Sequence, residues 1–117
     1  MQYQGSCHCG NVAFDLEITP PLEKVIDCNC SHCSRKGYLL AFVPRAQLML
    51  KTPLENLSTY TFNRHFIQHQ FCTRCGVAPF GFAKNREGED TAAVNVRCLE
   101  NIDLNGLKRE LVDGRSF

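Results

Sequence analysis

Eight cysteines in 117 residues constrain this chain more than any other feature, and they are grouped rather than scattered. They fall into Cys7-x-Cys9, Cys28-x-Cys30-x-x-Cys33, Cys72-x-x-Cys75 and a lone Cys98. The stretch MQYQGSCHCG at the amino terminus has neither a basic n-region nor an apolar h-region, so the expected location is the cytoplasm. Thiols stay reduced there, and closely spaced cysteines read as metal ligands rather than as disulfide partners.

Two of the groups share a detail: Cys9 is followed by Gly10 and Cys75 by Gly76. A chain that turns tightly after a thiolate, so that backbone N–H groups point at sulfur, often needs a positive φ, which glycine supplies. On this pattern Cys7, Cys9, Cys72 and Cys75 form one closed structural zinc site of four thiolates. Zinc–sulfur distances in such sites are about 2.3 Å. Structural zinc in small domains contributes on the order of 10 kcal/mol to folding, so the site acts as a staple. Cys28, Cys30 and Cys33 remain as a three-thiolate set, the number a catalytic zinc usually takes from protein while keeping one position for water or substrate. The competing reading is that Cys98 or a histidine completes this set and makes it structural. Cys33 is expected in the first turn of a short helix, where the dipole favours a thiolate. Cys98, ending a strand, is expected to be a small buried hydrophobe, with proximity to the three-cysteine site as the second option.

The rest of the chain reads as short strands. NVAFDLEI at 11–18 places Val12, Phe14, Leu16 and Ile18 on one face, and Pro20-Pro21 ends the pattern. Lys24 to Ile26 leads into the central cluster, and YLLAFV at 38–43 is apolar throughout, like a strand covered on both faces. Further strands are expected over 58–62 and 66–71 as a hairpin or meander, and over 78–82 and 91–96. Helix is expected only at Ser31 to Lys36, with Ser31 as N-cap, and near Asp103 to Lys108, with Asp103 as N-cap. KNREGEDT at 84–91 reads as an exposed loop. The length suits a single domain over 1–117, mainly β with little helix.

Other side chains carry weaker signals. His8 and His32 lie between cysteines, where a residue normally points away from the metal. His65 and His69 would share a strand face as solvent-side residues, and Phe62, Phe66, Phe71, Phe80 and Phe82 are most simply core. Arg35, Lys36 and Arg74 adjoin clusters that become anionic on binding zinc, so charge compensation is their simplest role. Thirteen basic and twelve acidic residues give a net charge of +1, which argues against a nucleic-acid surface. No apolar run approaches the roughly 20 residues that span a bilayer.

GSCHCGNVAF at 5–14, CNCSHCSRKG at 28–37 and FCTRCG at 71–76 resemble, in order, the motifs of the glutathione-dependent formaldehyde-activating enzyme family, which also includes centromere protein V. A looser likeness continues through AVNVRCL at 93–99 and DGRSF at 113–117. The resemblance implies a β-tent fold of antiparallel sheets around zinc. It also implies a structural zinc on Cys7, Cys9, Cys72 and Cys75 and a catalytic zinc on Cys28, Cys30 and Cys33. The activity it implies is that of a carbon–sulfur lyase, joining a glutathione-like thiol to a formaldehyde-like aldehyde. Glutathione carries two carboxylates, and Arg35, Lys36, Arg64 and Arg97 are the candidate cations for them. The alternative is a non-enzymatic zinc module that binds protein or nucleic acid. A third reading is zinc storage or redox sensing, which predicts release of metal by mild peroxide.

Overall fold

The computed structural model describes residues 1–19 and 21–116. Pro20, half of the expected strand break, and Phe117, the last residue of the DGRSF stretch, lie outside the described residues. The architecture is mainly β. A three-stranded antiparallel sheet contains β1 (Gln2–Ser6), β2 (Ala13–Glu17) and β5 (Leu48–Leu50) in the order β1-β2-β5. The larger sheet contains β3 (Lys24–Cys28), β4 (Leu40–Pro44), β6 (Leu57–Tyr60), β7 (Gln68–Cys72), β8 (Phe80–Lys84), β9 (Asp90–Asn95) and β10 (Lys108–Val112). Its order is β10-β3-β4-β9-β8-β7-β6. All its pairings are antiparallel except that of β10 with β3, where Val112 lies opposite Cys28.

The alternation expected over 11–18 is what packs the two sheets together. Val12, Phe14 and Leu16 are at most 1% exposed, and they meet Val25, Val43, Phe80 and Val94 from the larger sheet. The Phe14 and Phe80 rings meet edge to face, with centroids 5.2 Å apart. Truncating a buried phenylalanine typically costs about 3–5 kcal/mol, so this contact is a principal clamp between the layers. Gly5 lies opposite Phe14, and a Cβ there would sit 2.3 Å from the Phe14 ring, so only glycine lets that ring cross β1.

The hairpin expected from 58–71 is present as β6 and β7, paired Leu57 to Cys72 through Tyr60 to His69. Three details depart from expectation. Phe66 is not core: it is 74% exposed, because the chain turns at 63–66, with Asn63 and His65 at positive φ, before β7 begins. Near Asp103 there is a single 3₁₀ turn, Leu104–Gly106, although Asp103 caps it as expected through its Oδ1 and the Asn105 N–H. The run at 84–91 is shared between β8, an exposed turn and β9, because Lys84 pairs with Asp90 across the hairpin. Among the described residues, no helix is long and apolar enough to cross a membrane.

Candidate metal centres and the cavity beside them

The first cysteine cluster forms where two tight turns from different sheets meet. One follows β1, with the Cys7 N–H bonded to the Val12 carbonyl at 3.0 Å. The other follows β7, with the Cys72 N–H bonded to the Val77 carbonyl at 3.0 Å. Gly10 and Gly76 adopt φ of +83° and +78°, the conformation expected from their place after Cys9 and Cys75. The sulfurs of Cys7, Cys9, Cys72 and Cys75 all lie within 4.8 Å of one another. Backbone amides point at them: Val12 N–H donates to Cys7 Sγ at 3.3 Å, and those of Arg74 and Cys75 donate to Cys72 Sγ at 3.3 and 3.4 Å. Burial disfavours the Cys72 thiolate, yet the Cys75 and Arg74 amides outweigh it and bring the thiol down to about 6. Four sulfurs with amide support and no hydroxyl or carboxylate among them form a donor set suited to zinc.

The second cluster comprises Cys28, Cys30 and Cys33, whose sulfurs also lie within 4.8 Å of one another. Cys28 ends β3, and the helix α1 (Ser31–Lys36) has the expected bounds. Its N-cap is Cys30 rather than Ser31: Cys30 is extended, and its Sγ accepts from the Cys33 N–H at 3.2 Å. That changes which thiol is favoured as thiolate. Burial works against Cys30, but the Cys33 and His32 amides pull it below its ordinary value. Cys33, 9% exposed, is instead pushed strongly up by burial and by its proximity to Cys30. Among the described residues, no fourth histidine, cysteine or carboxylate joins this set. Cys98 is half-buried in the 3₁₀ turn Val96–Cys98. Burial and the nearby Cys7 and Cys75 thiols push it up to about 11, so its neighbours are in the first cluster rather than the second.

The three-cysteine cluster opens onto a cavity of about 720 Å³, whose lining includes Cys28, Cys30 and Cys33 and no member of the other cluster. Two histidines face this space. His32 and His69 pack with ring centroids 4.1 Å apart, against Tyr38 and Phe62. His69 is therefore not a solvent-side residue; it is 9% exposed, while His65 sits before β7 and bonds Thr61 Oγ1 at 2.7 Å. Both ring nitrogens of His32 and Nε2 of His69 are buried without a hydrogen-bond partner. Buried polar atoms are rarely left so, and each costs about 1–3 kcal/mol until a partner arrives. Burial first, then His32 and Lys36, depress His69 to about 4, so it is neutral at pH 7.

Of the candidate substrate cations, Arg35 lines the cavity. Lys36 instead sits 5.7 Å over the Phe71 ring, and Arg97 Nε donates to the Gly37 carbonyl at 3.0 Å. Arg64 borders an adjoining hollow of about 150 Å³ that shares Phe62, Asn63, Ile67 and His69 with the cavity, but Arg64 is not among the cavity's own lining. Sequence reasoning missed Arg115 and Gly114, which also line the cavity. Arg115 donates from Nε to the Asn29 carbonyl at 2.9 Å and from its amide to Asn29 Oδ1 at 3.1 Å. Gly114 passes so close over the cluster that a Cβ would lie 2.5 Å from Cys28 Sγ. The only signal for either was the looser DGRSF likeness.

A sequence model of the glutathione-dependent formaldehyde-activating enzyme family matches residues 2–111. Among solved structures, a Rhodobacter sphaeroides protein determined by crystallography superposes with a TM-score of 0.79 at 29% sequence identity, covering 93% of this chain and 99% of its own. With the match running from β1 into β10, the chain belongs to the glutathione-dependent formaldehyde-activating enzyme family.

Proposed function

We propose that residues 1–117 act as one domain, a zinc-dependent carbon–sulfur lyase for the adduct of a small, glutathione-like thiol with a formaldehyde-like aldehyde. The observation that carries this reading is the asymmetry between the clusters: three sulfurs line a ligand-sized cavity and have no fourth partner among the described residues. Cys7, Cys9, Cys72 and Cys75 would hold a structural zinc, and Cys28, Cys30 and Cys33 a catalytic one. Zinc at the latter would stabilise a substrate thiolate and polarise a carbonyl oxygen.

The chain's own residues supply the rest. In adduct formation a sulfur–carbon bond forms, the S–H bond and the carbonyl π bond break, and the thiol proton ends on oxygen. No oxidant or reductant is needed. His69, neutral and lining the cavity, is the side chain nearest to hand for relaying that proton from sulfur to oxygen. Arg35 and Arg115 offer cations to the thiol's carboxylates from α1 and from the segment after β10. Gly114 keeps the covering backbone close to Cys28 and Cys30 without filling the site.

Elemental analysis with X-ray absorption is expected to find two zincs, one with four sulfur ligands and one with three sulfurs and a lighter atom. Exchange NMR on formaldehyde and glutathione should show faster adduct exchange with the zinc-loaded protein. No acceleration with glutathione or other small thiols, at full zinc loading, would sink the enzymatic reading and favour a binding module.

A further inference from the structure

One strand carries more apolar surface than the core uses. In β4, Ala41 and Val43 point into the core between the sheets, where both are at most 6% exposed. Leu40 and Phe42 lie on the opposite face and line the cavity, and Phe42 is 54% exposed. The expectation of a strand covered on both faces thus fails at Phe42, because that face looks onto open space. Cross-strand register extends it into a row: Phe42 lies opposite Ala93, Ala93 opposite Gly81, and Gly81 opposite His69. Residues directly opposite in a sheet project on the same side, so these four form one line across β4, β9, β8 and β7. The middle of the line is Ala93 and Gly81, the two smallest side chains, flanked by large rings. A sheet face built this way is a trough.

The trough is apolar where it leaves the cysteines. Ile26 lies opposite Leu40 next to the row, and the cavity's arginines, Arg35 and Arg115, come from α1 and from the segment tied to Asn29. A glutathione-like thiol has its charges satisfied at that arginine side. Formaldehyde has only two heavy atoms, so it needs about the space of one or two waters, each roughly 30 Å³ in the liquid. With the thiol on the arginine side of this cavity of about 720 Å³, a one-carbon aldehyde would leave the apolar face from Phe42 to Ala93 uncovered. Exposed contiguous apolar surface of this kind marks a ligand site.

We infer that the aldehyde partner carries an apolar substituent, an aryl ring or an alkyl chain of about six carbons, seated in the trough between Phe42 and His69. This inference rests on the lyase reading above. The bond changes are those of that reading: sulfur adds to the carbonyl carbon, and the thiol proton passes to oxygen. The substituent only binds.

The test uses stable thioether analogues of the adducts with the zinc-loaded full chain, read by titration calorimetry. S-benzylglutathione or S-hexylglutathione is expected to bind at least tenfold tighter than S-methylglutathione, and the two arms separate aryl from alkyl. Ala93→Leu, which fills the trough, and Phe42→Ala, which removes an exposed wall, should each bring the ratio close to one. Two variants are used because a leucine at 93 can perturb folding, whereas Phe42 is mostly exposed. Equal binding of all three thioethers overturns the inference while formaldehyde–glutathione exchange still reports on the lyase reading. A preference that survives both variants overturns the assignment to this trough. No binding together with no exchange overturns both readings.

Discussion

The two cysteine clusters are built from the same atoms and differ in what surrounds them. The four-cysteine cluster joins turns 63 residues apart, from Cys9 to Cys72, so it fastens one sheet to the other. Its sulfurs are wrapped by their own loop amides, and nothing more is needed to complete a tetrahedron. The three-cysteine cluster spans Cys28 to Cys33 on the end of one strand and the first turn of one helix. It closes almost no chain, and its free side faces a cavity lined by two histidines. Loop closure gives the first cluster leverage over stability, whereas exposure to a cavity gives the second leverage over chemistry.

The sharpest test of that difference is Cys72→Ser. A hydroxyl is a poor replacement for thiolate, and loss of much of a structural zinc's roughly 10 kcal/mol rivals the about 5–15 kcal/mol total of an ordinary domain. The variant should be insoluble or lack β circular dichroism and cooperative melting. Cys33→Ser is expected to remain folded, bind one metal ion fewer than the parent, and lose the proposed lyase activity. Were both variants to unfold alike, the central cluster would be structural and the comparison would collapse.

Gly114→Val asks a gentler question of the second cluster, since its Cβ would press within 2.5 Å of Cys28 Sγ and 2.9 Å of Cys30 Cβ. Overpacking of this kind typically costs about 1–3 kcal/mol. We expect a modest drop in melting temperature, retention of the four-sulfur zinc and at least a tenfold loss of activity. A variant with full activity would mean that the segment after β10 does not shape the site.

The smallest effect concerns protons. Folding depresses His69 from 6.5 to about 4, so its neutral form is favoured in the folded chain. Its contribution is therefore complete above pH 6.5 and is lost as pH falls through the window from 6.5 to 4, where the unfolded chain binds the extra proton. His69→Gln should flatten the pH dependence of stability there relative to the parent, by no more than a few kcal/mol. Denaturant titrations at several pH values would read it, and identical slopes for both proteins would remove His69 from the account.

Much of this was legible from short-range pattern. Glycine after a second cysteine announced the two knuckles, and positive φ at Gly10 and Gly76 is the backbone reason. Alternation over Val12, Phe14 and Leu16 located the inner face of β2, because a period of two is a local property. The bounds of α1 were readable, although its cap was not: a cysteine sulfur took a role usually held by serine because it lies beside a buried Cys33 amide.

What the sequence by itself determined is the division of the cysteines and the mainly β class, since both follow from neighbours a few residues apart. The tertiary structure alone decided what the clusters face. The extended reading of 66–71 put Phe66 in the core and His69 in solvent, and the turn at 63–66 reversed them, leaving Phe66 exposed and His69 buried beside the cavity. Gly114 reaches Cys28 and Arg115 reaches Asn29 because β10 runs parallel to β3, a pairing across more than eighty residues that no local pattern records. The cavity beside the second cluster arises the same way, from Ala93 and Gly81 falling side by side in register. Local sequence specifies turns and periods, but the surroundings of a site depend on which distant strands pair, and only the folded chain sets that register.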